Sequence, residues 1–134
     1  MIPSGKQSIA DEDIAAVVKV LRSDRLTQGP EVLGFERNLA SYTKSGFGVA
    51  VNSATSALHL SYLALGLGVG DWLWTSPNTF VATANAGVFC GAKIDFVDID
   101  PKTYSMSVDC LSEKLEQAEI QGCLPKIVVP VHFA

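Results

Sequence analysis

The residues best suited to chemistry lie in the stretch VNSATSALHL, residues 51–60, where an apolar run changes into a helical pattern. The start of a helix leaves up to four backbone N–H groups without intrahelical partners and carries about half a positive charge. No acidic residue occupies this turn, which holds Ser53, Ala54, Thr55, Ser56 and Ala57. A phosphate can approach such small residues closely, and the hydroxyls of Thr55 and Ser56 can donate to its oxygens. Because Ser and Thr also cap helices without any ligand, capping by Ser53 or Thr55 stays open as the alternative.

A second helix start, SPNTFVAT at residues 76–83, also lacks an acidic residue in its first turn. We expect Asn78 or Thr79 to cap this helix. If both helices begin at the same edge of a sheet, Phe80 lies near the proposed anion. An aromatic ring beside a phosphate cradle indicates a planar, phosphorylated ligand, although Phe80 can also be an ordinary core residue.

The pattern around these turns alternates short apolar strands with helices. The expected strands are FGVAV, WLWTS, KIDFVDI and KIVVPVHF, and the expected helices cover residues 55–65, 79–90 and 108–118. Strands that are apolar on both faces and joined by single helices predict an α/β sheet covered on each side. Ligands of such sheets lie beyond the carboxyl ends of the strands.

Two further helices are predicted before the first strand. One covers residues 11–24, and the other begins at Pro30 and is stopped by KSG. We therefore predict an N-terminal helical segment over residues 1–46 and an α/β domain over residues 47–134.

Composition excludes several classes of function. With 10 Lys plus Arg against 14 Asp plus Glu, the 134-residue chain lacks the basic surplus of a nucleic-acid-binding protein. Its apolar runs are much shorter than the roughly 20 residues that cross a bilayer, and no signal peptide is recognisable. We expect a cytoplasmic protein without a membrane segment. Three cysteines without a C-x-x-C pair predict free thiols, and we expect no metal site.

In combination, four stretches resemble the DegT/DnrJ/EryC1/StrS family of sugar aminotransferases. They are LTQGPEVLGFERNLASY, VAVNSATSALHLSYLALGLGVGD, TSPNTFVATANAGVFCGAKIDFVDIDPKTY and KIVVPVHFA. The resemblance implies pyridoxal 5′-phosphate (PLP) as cofactor and the N-terminal portion of an aspartate aminotransferase-like, fold type I large domain with an incomplete sheet. It implies that Thr55 and Ser56 bind the cofactor phosphate and that Phe80 stacks on the pyridine ring. The RLTQGP loop is implied to lie at the active-site mouth, with Thr27, Gln28 and Gly29 as substrate candidates.

The motifs LTQGP, NSATSALH and VVPVHFA most resemble one subgroup, the enzymes that aminate C4 of UDP-linked 4-keto-6-deoxy-hexosamines in pseudaminic acid synthesis. The implied substrate is therefore a nucleotide sugar, and the implied assembly is a homo-oligomer, since the family's dimers form their active sites at the subunit boundary. The chain departs from the family at GDWLW, where we expect Trp72 and Trp74 to share one face of a strand and to pack.

In the family, the Schiff-base lysine and the aspartate that pairs with the pyridinium nitrogen both follow the PVHFA segment. The chain's own lysines do not match that context, so no catalytic residue is assigned. We expect a truncated, N-terminal aminotransferase fragment that is inactive alone. The alternative is a non-enzymatic binding or interaction module that reuses the α/β scaffold.

Overall fold

A computed structural model describes residues 5–132. The described chain divides into two compact units, one up to Ala50 and one from Val51 onward. The first unit holds helices α1 (Asp11–Leu21) and α2 (Pro30–Thr43). The predicted domain boundary after residue 46 stays a prediction.

The ends of these two helices follow from local chemistry. Asp13 accepts a hydrogen bond from the backbone N–H of Ala10 (2.9 Å), which fixes the first turn of α1. Pro30 is the first residue of α2, where its missing N–H costs nothing. Lys44 takes the left-handed conformation (φ 57°) and ends α2 within the predicted KSG stop.

The second unit carries three helices and three strands. In chain order they are α3 (Ala54–Ala64), β1 (Trp72–Thr75), α4 (Ala82–Phe89), β2 (Lys93–Phe96), α5 (Val108–Gln121) and β3 (Ile127–Val129). The strands form a parallel sheet in the order β2-β1-β3, with Leu73 paired to Ile94 on one side and to Ile127 on the other. The predicted α/β class and incomplete sheet are confirmed.

Helices cover both faces of this sheet. On one face Leu73 packs with Tyr62 of α3 and Ala86 of α4. On the other face Trp74 packs with Ala118 of α5. Trp72 joins the Trp74 cluster, so the two indoles share a face and pack, as predicted. Side chains of β1 are buried on both faces, which accounts for the apolar run of this strand in the sequence.

The predicted strand FGVAV is wrong, because residues 47–51 form no strand. A strand needs a neighbour to satisfy its backbone groups, and none of the described strands pairs with this segment. Its apolar side chains are exposed, with Phe47 92% accessible. The predicted strand KIVVPVHF shortens to Ile127–Val129, and Phe133 lies outside the described residues.

Candidate functional site: the start of helix α3

The first turn of α3 combines a cap with unused donors. Ser53 is the N-cap, and its Oγ accepts a hydrogen bond from the Ser56 N–H (3.2 Å). Ser56 Oγ donates in turn to Asn52 Oδ1 (2.7 Å) and accepts from Ser53 Oγ (3.1 Å). The capping interpretation therefore holds for Ser53, whereas the groups of Ser56 already have partners.

Ala54 and Thr55 differ from Ser56. As the first two residues of α3, they have N–H groups that no intrahelical carbonyl can reach. Among residues 5–132 no hydrogen bond reaches these two N–H groups or the Thr55 hydroxyl. No acidic residue lies in the turn. Two amides and one hydroxyl are thus free to bind an anion at the positive end of α3.

Helices α3 and α4 both end at the edge where the strands begin. Lys126 and Asp71 precede β3 and β1 and mark that edge, and Lys126 Nζ donates to Gly66 O just after α3 (2.6 Å). Gly91, just after α4, lies against Val69, since a Cβ added there would come 2.8 Å from Val69 Cγ2. Both helices therefore begin toward the carboxyl edge of the sheet, where ligands of parallel sheets bind.

Phe80 lies in the loop before α4 and is 76% exposed. This exposure excludes the alternative that Phe80 is a core residue of this chain. The expected caps are wrong: α4 begins only at Ala82, its N-cap is Val81, and no side chain caps it. The Thr79 hydroxyl contacts the Thr83 hydroxyl instead (2.9 Å), so it does not cap a backbone amide.

A hydrogen bond that the sequence does not reveal ties α3 to the first turn of α4, just after this loop. Tyr62 is 3% exposed, and its hydroxyl donates to the carbonyl of Thr83 in the first turn of α4 (3.1 Å). Burial raises the pKa of the Tyr62 phenol, and Cys90 adds to the shift. The only sequence signal is a tyrosine within the otherwise apolar face of α3.

The substrate candidates Thr27, Gln28 and Gly29 belong to the first unit. They form the exposed loop between α1 and α2, where Gln28 has a positive φ of 48° and Gly29 is the N-cap of α2. Gln28 and Gly29 line an open groove of about 570 Å³, while Thr27 does not. Their place relative to Thr55 stays a prediction.

Three further observations concern the cysteines, the metal-ligating residues and the helix lengths of the described residues. Cys90, Cys110 and Cys123 are free thiols. Residues 5–132 contain no cluster of His, Cys, Asp and Glu that could hold a metal ion. None of the helices in this range combines the length and hydropathy that a membrane span requires.

The sheet and its helices match the N-terminal third of fold type I aminotransferases. The chain belongs to the DegT/DnrJ/EryC1/StrS aminotransferase family, whose model matches residues 7–134. It is 42% identical to the spore coat polysaccharide biosynthesis protein SpsC of Bacillus subtilis, over 98% of this chain and 32% of that protein. It is 34% identical to the UDP-4-amino-4-deoxy-L-arabinose–oxoglutarate aminotransferase of Shewanella sediminis, over 99% of this chain and 33% of that protein.

Among solved structures, the chain is similar to Spr1654 of Streptococcus pneumoniae, which is described as a sugar aminotransferase. The PLP form matches with a TM-score of 0.78 and 36% identity, over 84% of this chain and 29% of that chain. The pyridoxamine 5′-phosphate (PMP) form matches with a TM-score of 0.84 and 33% identity, over 98% and 32%. The chain thus spans about a third of the length of these relatives.

Proposed function

We propose that these residues form the N-terminal part of the cofactor site of a PLP-dependent nucleotide-sugar aminotransferase. The observation that carries the proposal is the start of α3, where Ala54 and Thr55 offer unpaired amides without a competing carboxylate. The family membership and the PLP and PMP forms of Spr1654 support it.

The free groups fit a phosphate ester attached to a flat ring. The Ala54 and Thr55 amides and the Thr55 hydroxyl hold the phosphate, and the exposed ring of Phe80 stacks on the pyridine. Ser56 contributes a phosphate contact only if its hydroxyl leaves Asn52. When bound, the cofactor supplies an electron-accepting ring that carries the amino group between substrates.

Amino transfer by this cofactor also needs a lysine and a ring-nitrogen aspartate, which we place in segments that the family has beyond this chain's span. We therefore propose that the 134 residues alone bind PMP without turning over substrate. For the acceptor, we propose a UDP-linked 4-keto-6-deoxy-hexosamine aminated at C4, as in pseudaminic acid synthesis. The motifs LTQGP, NSATSALH and VVPVHFA support this choice. The Shewanella sediminis relative, whose name specifies UDP-4-amino-4-deoxy-L-arabinose, supports the UDP carrier and amination at C4 but not the hexosamine ring.

The same proposal includes three further parts. They are a cytoplasmic location, assembly into a homo-oligomer, and contacts of the nucleotide sugar with Thr27, Gln28 and Gly29. The exposed apolar side chains of Phe47 and Val49 favour association of copies. Sedimentation equilibrium tests the oligomer, and a monomer at all concentrations would contradict it.

The test of the proposed site is fluorescence titration with PMP, which forms no Schiff base with surface lysines. We expect saturable binding that Phe80→Ala weakens and that inorganic phosphate displaces. Thr103→Ala, an exposed substitution in the turn before α5, serves as the control. Indifference of the chain to both PMP and phosphate would reject the site and favour an interaction module.

A further inference from the structure

A short chain of hydrogen bonds runs from α3 into the loop that carries Phe80. Tyr62 Oη donates to Thr83 O (3.1 Å), and the hydroxyls of Thr83 and Thr79 lie 2.9 Å apart. The Thr83 N–H donates to Phe80 O (3.0 Å). Tyr62 and Thr83 are both buried, whereas Phe80 is exposed. These hydrogen bonds therefore link buried Tyr62 on α3 to the backbone of Phe80, whose ring is exposed.

This link matters because α4 begins weakly. Its N-cap is Val81, which provides no side-chain hydrogen bond, and the helix is only eight residues long. A helix start without a side-chain cap is less stable than a capped one and tends to fray. The bond from Tyr62 holds the second residue of α4 at a fixed place against α3.

We propose that Tyr62 is a positioning residue for the cofactor ring, an inference that rests on the proposed function. A rigid ligand held by its phosphate at Thr55 and by its ring at Phe80 requires a fixed separation between the α3 start and the Phe80 loop. Tyr62 lies on α3, which carries the proposed phosphate contact. Its hydroxyl donates to the carbonyl of Thr83, in the helical turn that follows Phe80. A shift of the Phe80 loop relative to α3 would therefore weaken ring stacking and leave the phosphate contact in place.

A purely structural role for Tyr62 makes a different prediction. A buried tyrosine hydroxyl needs a hydrogen-bond partner wherever it lies, and its loss then lowers stability without regard to ligand. If Tyr62 positions the ring, its loss lowers the affinity for PMP, which needs both contacts. The affinity for inorganic phosphate, which needs only the start of α3, stays unchanged. The ratio of the two affinities therefore separates the two roles.

The experiment uses Tyr62→Phe, which keeps the buried ring and removes the hydroxyl, with Tyr42→Phe as the matched control because Tyr42 is 87% exposed. We expect Tyr62→Phe to weaken PMP binding roughly 2- to 10-fold, the effect of one lost hydrogen bond. We expect the affinity for inorganic phosphate to stay unchanged. Amide hydrogen exchange at Thr83 and Asn85 should accelerate, while exchange in α5 should not.

The outcomes separate this inference from the proposed function. If the unmodified chain binds PMP no better than phosphate, the proposed stacking of the cofactor on Phe80 is rejected. The positioning role of Tyr62 is then rejected as well. If the chain prefers PMP and Tyr62→Phe keeps that preference, only the role of Tyr62 is rejected. An equal loss of PMP and phosphate binding would assign Tyr62 to the folding of α3 and would also overturn the inference.

Discussion

Replacement of Thr55 by aspartate should change stability and phosphate binding in opposite directions. A carboxylate in the first turn of α3 interacts favourably with the positive end of the helix dipole and with the free amides. This interaction should stabilise the helix by about 0.3 to 1 kcal/mol. The same carboxylate repels a bound phosphate dianion. At about 5 Å, each charge pair costs about 1 to 3 kcal/mol for effective dielectric constants between those of water and a protein surface. With two phosphate charges, affinity should fall at least about 30-fold.

The assay pairs urea unfolding with titration of PMP and inorganic phosphate. Thr55→Val is the matched variant, because it removes only the hydroxyl, which has no partner among the described residues. It should weaken phosphate binding about 10-fold, the effect of one hydrogen bond to a charged group, and should leave stability nearly unchanged. Ser112→Asp adds the same charge to the exposed surface of α5 and should change neither binding constant.

Two results would refute this reasoning. If Thr55→Asp binds phosphate as well as the unmodified chain, the anion does not lie at the start of α3. If Thr55→Asp destabilises the chain while Thr55→Val does not, the turn is not the free positive pole that the hydrogen bonds indicate.

Three further predictions concern other residues. Phe80→Ala should weaken PMP binding, leave phosphate binding unchanged and hardly alter the urea midpoint, because the ring is exposed; an altered phosphate affinity would argue against stacking. The hydrogen bond from Lys126 is the main cause that lowers the pKa of Asp71 from 3.8, with a second from the Gly68 N–H. The Asp71–Lys126 pair therefore stabilises the fold above the pKa that Asp71 has in the unfolded chain. This stabilisation is lost as the pH falls through the lower pKa of Asp71 in the folded chain. Below about pH 4 the urea midpoint of the unmodified chain should fall, and that of Asp71→Asn should fall less. Parallel pH profiles of the two proteins would contradict a stabilising Asp71–Lys126 pair. Gly91→Ala should lower the free energy of unfolding by about 1 to 2 kcal/mol, because Gly91 has φ 81° and faces Val69; an unchanged value would contradict this packing.

The elements that could be predicted from the sequence are those fixed by local chemistry. The acid-free turn at Ser53 predicted the start of α3 to within one residue, and Pro30 marked the start of α2. The apolar run of β1 indicated burial on both faces. In each case the signal lies in neighbouring residues, which is why sequence reasoning recovers it.

What the sequence did not reveal depends on contacts between distant residues. FGVAV has the composition of a strand, but a strand forms only where a neighbour pairs with it. The start of α4 was expected at Thr79, yet the Thr79 hydroxyl contacts Thr83 and the helix begins at Ala82. The bond from Tyr62 to Thr83 spans 21 residues, so no local pattern reports it.

The central claim is that the start of α3 binds a phosphate group, and ¹H–¹⁵N NMR titration with inorganic phosphate tests it most directly. The start of α5 is an internal control, since a serine caps both helices but only α5 has an acidic residue, Asp109, in its first turn. We predict the largest saturable amide shifts at Ala54 and Thr55, with little change at Val108 and Asp109. Equal shifts at both helix starts, or none at Ala54 and Thr55, would contradict the account.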